Sequence, residues 1–195
     1  NRAIFAPMPN PTPEEIRDFV IAGHGDFDKV KTMLAAQPEL LNLAYPWSET
    51  DSETAIQAAS HVGNVALAEF LLAQGAPLAI YTAAMLGRRD DVTRLLAANP
   101  ELAKVRGAHD IPLLPHAAMC GDVALVSALH AAGATDGASS ALIFAVARRH
   151  ADLAAWLLAN AAPDLAWKNF QGKTALDVAR ERGFSEIEAV LDQVV

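Results

Sequence analysis

TAIQAASHVGNVALAEFLLAQGAP, residues 54–77, reads as two short helices meeting at one glycine. The first half, Thr54 to Val62, is short and alanine-rich. Gly63 can adopt the positive φ that ends one helix sharply and lets the chain start another. Asn64 follows, where a side-chain oxygen can cap the free amides of the second helix. That helix ends in Leu71-Leu72, and Gly75-Ala76-Pro77 closes it.

The same phrase recurs along the chain. Taking the glycine as anchor, and asking for an apolar residue eight positions later, gives six copies. The anchors are Gly25, Gly63, Gly87, Gly121, Arg149 and Gly183, with Met33, Leu71, Leu95, Leu129, Leu157 and Leu191 as their apolar partners. Anchor spacings are 38, 24, 34, 28 and 34 residues. Second helices carry apolar residues at helical intervals, as in Val92, Leu95 and Leu96 or Leu153, Leu157 and Leu158. Asp26, Asp90 or Asp91, Asp122 and Asp152 stand in or near their first turns, where an acid complements the helix dipole.

A helix pair of roughly 33 residues with a T-P-L-H-x-A-type opening and an LLxxGA ending resembles the ankyrin repeat. The openings stand here as Thr54-Ala55-Ile56-Gln57 and Thr174-Ala175-Leu176-Asp177, and the ending as Leu71-Leu72-Ala73-Gln74-Gly75-Ala76. Proline is absent from both openings, and Arg149 replaces the fifth glycine. The resemblance covers residues 13–193 and implies an all-α ankyrin-repeat solenoid of stacked helix pairs. Its domain would run over 13–195, behind a proline-rich arm at 1–12 with Pro7, Pro9 and Pro11. The short spacings leave hairpin fingers only near 43–53, 102–111 and 165–173.

Composition agrees with packed helices. Of 195 residues, 41 are alanine, while aromatics make up 6%. Small apolar side chains suit closely packed helices better than a β-sandwich. A net charge of −8, with no run of basic residues beyond Arg88-Arg89 and Arg148-Arg149, disfavours nucleic acid and anionic membranes as partners. Eighteen uncharged residues separate Glu69 from Arg88, but Gly75-Ala76-Pro77 breaks them, so no membrane span is expected. The single cysteine, Cys120, fits a reducing, cytoplasmic setting. The expected setting is therefore the cytoplasm, with an exported form trimmed of a leader before Asn1 as the alternative.

Chemistry-bearing motifs are scarce. Gly172-Lys173-Thr174 invites a phosphate-loop reading, but Trp167 holds the place of the required first glycine. His116 and Cys120 lie four apart on one expected helix face, with His109-Asp110 just before. That set is a candidate for a metal or an activated thiol, although zinc needs three or four convergent ligands. His24, His61, His130 and His150 are scattered, and each reads as structural or surface. The expectation is a non-catalytic, monomeric chain without cofactor.

The resemblance implies a protein or peptide partner along a concave groove, facing the residues that precede each anchor. Those would be His61, Met85, Leu86, Met119, Cys120 and Arg148. Trp47, Trp167 and Phe170 on the fingers would add aromatic anchors. A small molecule in the same apolar groove is the alternative occupant.

Overall fold

Helices of six to ten residues build the chain, and their caps explain where many of them begin. The computed structural model describes residues 10–192, in which twelve α-helices pack in sequence. The expected arm at 1–12 therefore falls mostly outside the described residues. Contacts divide the chain into two units, with the boundary in the sequence between Pro77 and Leu78.

The first unit, residues 10–77, holds α1 (Pro13–Ala22), α2 (Phe27–Ala36), α3 (Ala55–Val62) and α4 (Val65–Ala73). Between α2 and α3 a 3-10 turn at Pro38–Asn42 leads into an antiparallel hairpin of β1 (Tyr45–Pro46) and β2 (Ser52–Glu53). Thr12 and Thr54 open α1 and α3 with capping boxes, closed by Glu15 and Gln57. Each box satisfies two of the amides that a helix start leaves without partners. Asp26 and Asn64 cap α2 and α4 through their side chains. Phe19, Val20, Val30, Leu40, Leu67 and Leu71 fill the interior.

The second unit, residues 78–192, holds α5 (Ile80–Met85), α6 (Arg89–Ala98), α7 (Leu113–Ala118), α8 (Val123–Ala131), α9 (Ala138–Ala147), α10 (Ala151–Asn160), α11 (Ala175–Glu181) and α12 (Ser185–Asp192). Helix α7 packs on both α5 and α9, and α9 on α11. Alanines 83, 84, 117, 118, 141 and 145 are buried on these helices. Their small side chains let the backbones approach closely. Leucines 125, 129, 153 and 157 on α8 and α10 complete the same core. No described helix is long and apolar enough to cross a membrane.

Five of the six anchors take the left-handed conformation: Gly63, Gly87, Gly121 and Gly183 at φ 66–76°, and Arg149 at φ 62°. A side chain there costs about 1–2 kcal/mol. Arg149 offsets part of that by contacts on both sides, an ion pair to Glu186 at 2.6 Å and its guanidinium 5.4 Å from the Phe184 ring centre. The first anchor corrects the expected pattern, because Gly25 is not left-handed. Here it is the neighbouring Gly23 that requires a glycine, and for a different reason. A Cβ on Gly23 would lie 2.7 Å from the Ala55 carbonyl oxygen and 2.8 Å from its Cα, both rigid backbone. Gly23 thus lets the end of α1 rest directly on the start of α3. Gly23→Ala should destabilise the chain by about 1–3 kcal/mol through this overpacking, read as a lower urea midpoint; an unchanged midpoint would refute the close approach.

Candidate functional site

The close approach at Gly23 places His24 beside the far end of α3. His24 occupies the turn after α1, and its Nδ1 lies 3.2 and 3.1 Å from the Val20 and Ile21 carbonyl oxygens. A proton on Nδ1 satisfies that pair and leaves Nε2 as the ring's acceptor. His61 occupies the last turn of α3, and its Nε2 lies 3.0 Å from His24 Nε2. The two rings meet edge to face, with centres 4.9 Å apart.

Glu53, the last residue of β2, completes the group. Its Oε1 lies 2.9 Å from His61 Nε2 and its Oε2 3.7 Å from His24 Nε2. The Trp47 indole N–H, across the hairpin, donates to Oε2 at 3.0 Å. Glu53 is 0% exposed, the condition in which a carboxylate requires charged or donating neighbours. Burial pushes its carboxyl up. The His61 hydrogen bond and charge, the His24 charge and the Trp47 indole together outweigh burial and hold it below 4.5. Three metal-ligating side chains of the first unit thus converge, their ligand atoms within 4.8 Å of one another.

The second unit carries a different feature, a cleft of about 530 Å³ between α9, α11, the turn at 108–112 and the loop at 165–173. Ile143, Phe144, Trp167 and Phe170 give it an apolar lining, with Arg182 also contributing. Asn169 shapes the loop. Its side-chain oxygen accepts from the Gln171 and Lys173 amides, each at 3.0 Å. Its own amide donates to the Lys173 carbonyl at 2.9 Å. This tight turn holds Phe170 out at 96% exposure, with Trp167 at 40%.

Several expected positions move. Met85 and Met119 are 1% and 5% exposed, so they pack inside the second unit and do not line an open groove. Leu86 and Cys120 are half-buried. Burial raises the Cys120 pKa, and its Sγ–H donates to the Ala117 carbonyl at 3.1 Å, so the thiol is not activated. Arg148 remains exposed, and its guanidinium is pulled below its ordinary value by partial loss of water and by the charge of Arg182. Trp47 keeps 37% exposure while folding back to bond Glu53 and to meet Tyr45 edge-on at 4.9 Å.

The expected metal or thiol set is not assembled. His116 is buried, with Nδ1 2.9 Å from the Pro112 carbonyl and its ring against Tyr81. Asp110 pairs outward with Arg106 at 3.1 Å. His109 shares the left-handed turn with Asp110, at φ 57° and 56°. Among the described residues, no convergent ligand group includes Asp110, His116 or Cys120. No signal of spacing marked His24, Glu53 and His61. The nearest clue was Glu53-Thr54, an acid placed immediately before a helix cap. In comparisons with known proteins the chain matches no family model and no curated protein sequence.

The depressed Glu53 carboxyl sets a pH dependence. Between its folded and unfolded pKa values the unfolded chain binds more protons, so the associated stability is present above 4.5 and is lost as pH falls through the lower folded value. Glu53→Gln should cost about 2 kcal/mol at neutral pH, where a charge-assisted hydrogen-bond group is removed. The gap between wild type and variant should then narrow as pH is lowered through and below the ordinary carboxylate range of about 4. Urea titrations across that range would read it, and parallel profiles would contradict the assignment.

Proposed function

We propose that the chain is an ankyrin-type repeat protein whose work is to bind a partner protein, without catalysis, through the cleft of the second unit. What carries this reading is Phe170, a large apolar ring 96% exposed on a tied loop, beside Trp167 and the cleft. Exposed rings held rigidly at a cavity mouth bury much apolar area on contact and lose little conformational freedom. The repeat reading is supported by the pairing of short helices around left-handed junctions, and by the capping boxes at Thr54 and Thr174.

The lining favours one kind of occupant. Ile143, Phe144, Trp167 and Phe170 suit apolar side chains, and Arg182, just after α11, adds a positive charge to the lining, close enough to Arg148 for the two charges to repel. Glu181 is engaged by Lys173, at 2.5 Å, and Asp110 by Arg106. The best match is a peptide segment with apolar anchors and a carboxylate.

The test is a quantitative pull-down from native lysate with wild type, Trp167→Ala/Phe170→Ala, and Val65→Ala. Val65 is another exposed apolar residue, on α4 in the first unit, and serves as the control. A partner held by wild type and Val65→Ala should bind the double variant at least about 30-fold more weakly, the effect of removing two hot-spot rings at roughly 1 kcal/mol or more each. Equal retention by all three would exclude the cleft as the binding surface.

A further inference from the structure

We propose that the first unit binds a divalent transition-metal ion of the zinc class through His24 Nε2, His61 Nε2 and the Glu53 carboxylate. This site is independent of the partner-binding cleft and of the repeat assignment.

Geometry is the first support. Ligand bonds to tetrahedral zinc are about 2.0–2.2 Å long, which places neighbouring donor atoms about 3.3 Å apart. The separations here are 3.0 Å between the imidazole nitrogens, 2.9 Å from His61 to Glu53 Oε1, and 3.7 Å from His24 to the other carboxylate oxygen, Oε2. An ion can therefore enter with shifts of a few tenths of an ångström. Two imidazoles and one carboxylate form a set that zinc uses, and the imidazoles discriminate against magnesium and calcium, which take oxygen ligands.

The surroundings are the second support. Ligating histidines hold their orientation when the other ring nitrogen donates to a carbonyl, and ligating carboxylates when a further donor fixes them. His24 has the first arrangement through Val20 and Ile21, and Glu53 the second through Trp47. With its Nδ1 turned to the backbone carbonyls, His24 directs Nε2 at His61 Nε2 and at Glu53. A divalent ion bound among these atoms would displace any proton held there.

A bound ion would tie the end of α1, the hairpin and the end of α3 to one point. Those are the segments whose contact Gly23 makes possible. The ion acts as a clamp on the hairpin and holds Trp47 through Glu53.

The experiment uses the full chain, without a purification tag, stripped with EDTA and titrated with Zn²⁺ by calorimetry and with Co²⁺ by visible absorption. The expected result is one equivalent bound, the intense visible bands of tetrahedral Co²⁺, and a raised melting temperature. His24→Gln and His61→Gln should each weaken binding at least about 100-fold, and Trp47→Phe about 10-fold. His130→Gln, distant in sequence and seated beside Trp156, should leave binding unchanged. Circular dichroism of each metal-free variant separates lost ligation from lost folding. Absence of stoichiometric binding to the folded wild type, or Co²⁺ bound with only the faint bands of an octahedral complex, overturns the site. Full binding by a His24→Gln/His61→Gln variant overturns it as well. In the first case the cluster is a proton-sharing network that fastens the hairpin.

Discussion

Short helices cannot stand alone, and that constraint governs the whole chain. At six to ten residues each helix falls below the length at which an isolated helix holds in water. Every one must therefore obtain its stability from neighbours, and the contact has to come within a few residues. Alanine meets this need, because a small side chain brings the whole backbone cylinder near its neighbour. In the second unit the alanine faces of α5, α7 and α9 are sealed from water, and the leucines of α8 and α10 fill what remains. Sharp turns between partners are the second requirement, which the left-handed residues supply. Arg149 shows the requirement most plainly, since it accepts that conformation without being glycine and is fixed by Glu186 and Phe184.

Much of this was legible in the sequence because it is local. Gly63, Gly87, Gly121 and Gly183 announce their turns, and the side chains of Asp26, Asn64 and Asp122 announce helix starts. The hairpin near residue 50 follows from the longest interval between anchors. The direction in which a side chain points was harder to read. Met85 and Met119 sit in the register expected of a groove, yet both are buried, because α5 and α7 are only six residues long. On so short a helix almost every position touches a neighbour, and register ceases to separate core from groove. Gly25 failed for a related reason. The chain turns there in another way, and the demand for a missing side chain falls on Gly23, where two backbones meet.

The histidine and glutamate cluster was illegible because none of its causes is local. His24 follows one helix, Glu53 ends a strand and His61 lies in the last turn of another helix, with intervals that match no ligand motif. They converge because Gly23 lets α1 rest on α3 and because the hairpin returns its last residue to the start of α3. His116 and Cys120 offer the reverse lesson. Four residues apart and on one turn of chain, they look like a pair, yet each is satisfied by a backbone carbonyl of its own neighbourhood. Helical spacing creates such pairs routinely, whereas convergence from three elements needs a specific fold.

Electrostatic interactions differ sharply between the two places. Most ion pairs among the described residues lie in the open, as between Arg94 and Asp91 or Lys104 and Glu101, and water weakens them to about a few tenths of a kcal/mol. Glu53 is fully removed from water, and its burial is unfavourable unless donors or cations surround it. Trp47 and two imidazoles meet that need and hold the carboxyl below 4.5. The proposed ligation would use the same arrangement, because it requires an ionised carboxylate and imidazole nitrogens held together before an ion arrives. The burial of Glu53 would strengthen its attraction to a cation, since little water is left to screen the two charges.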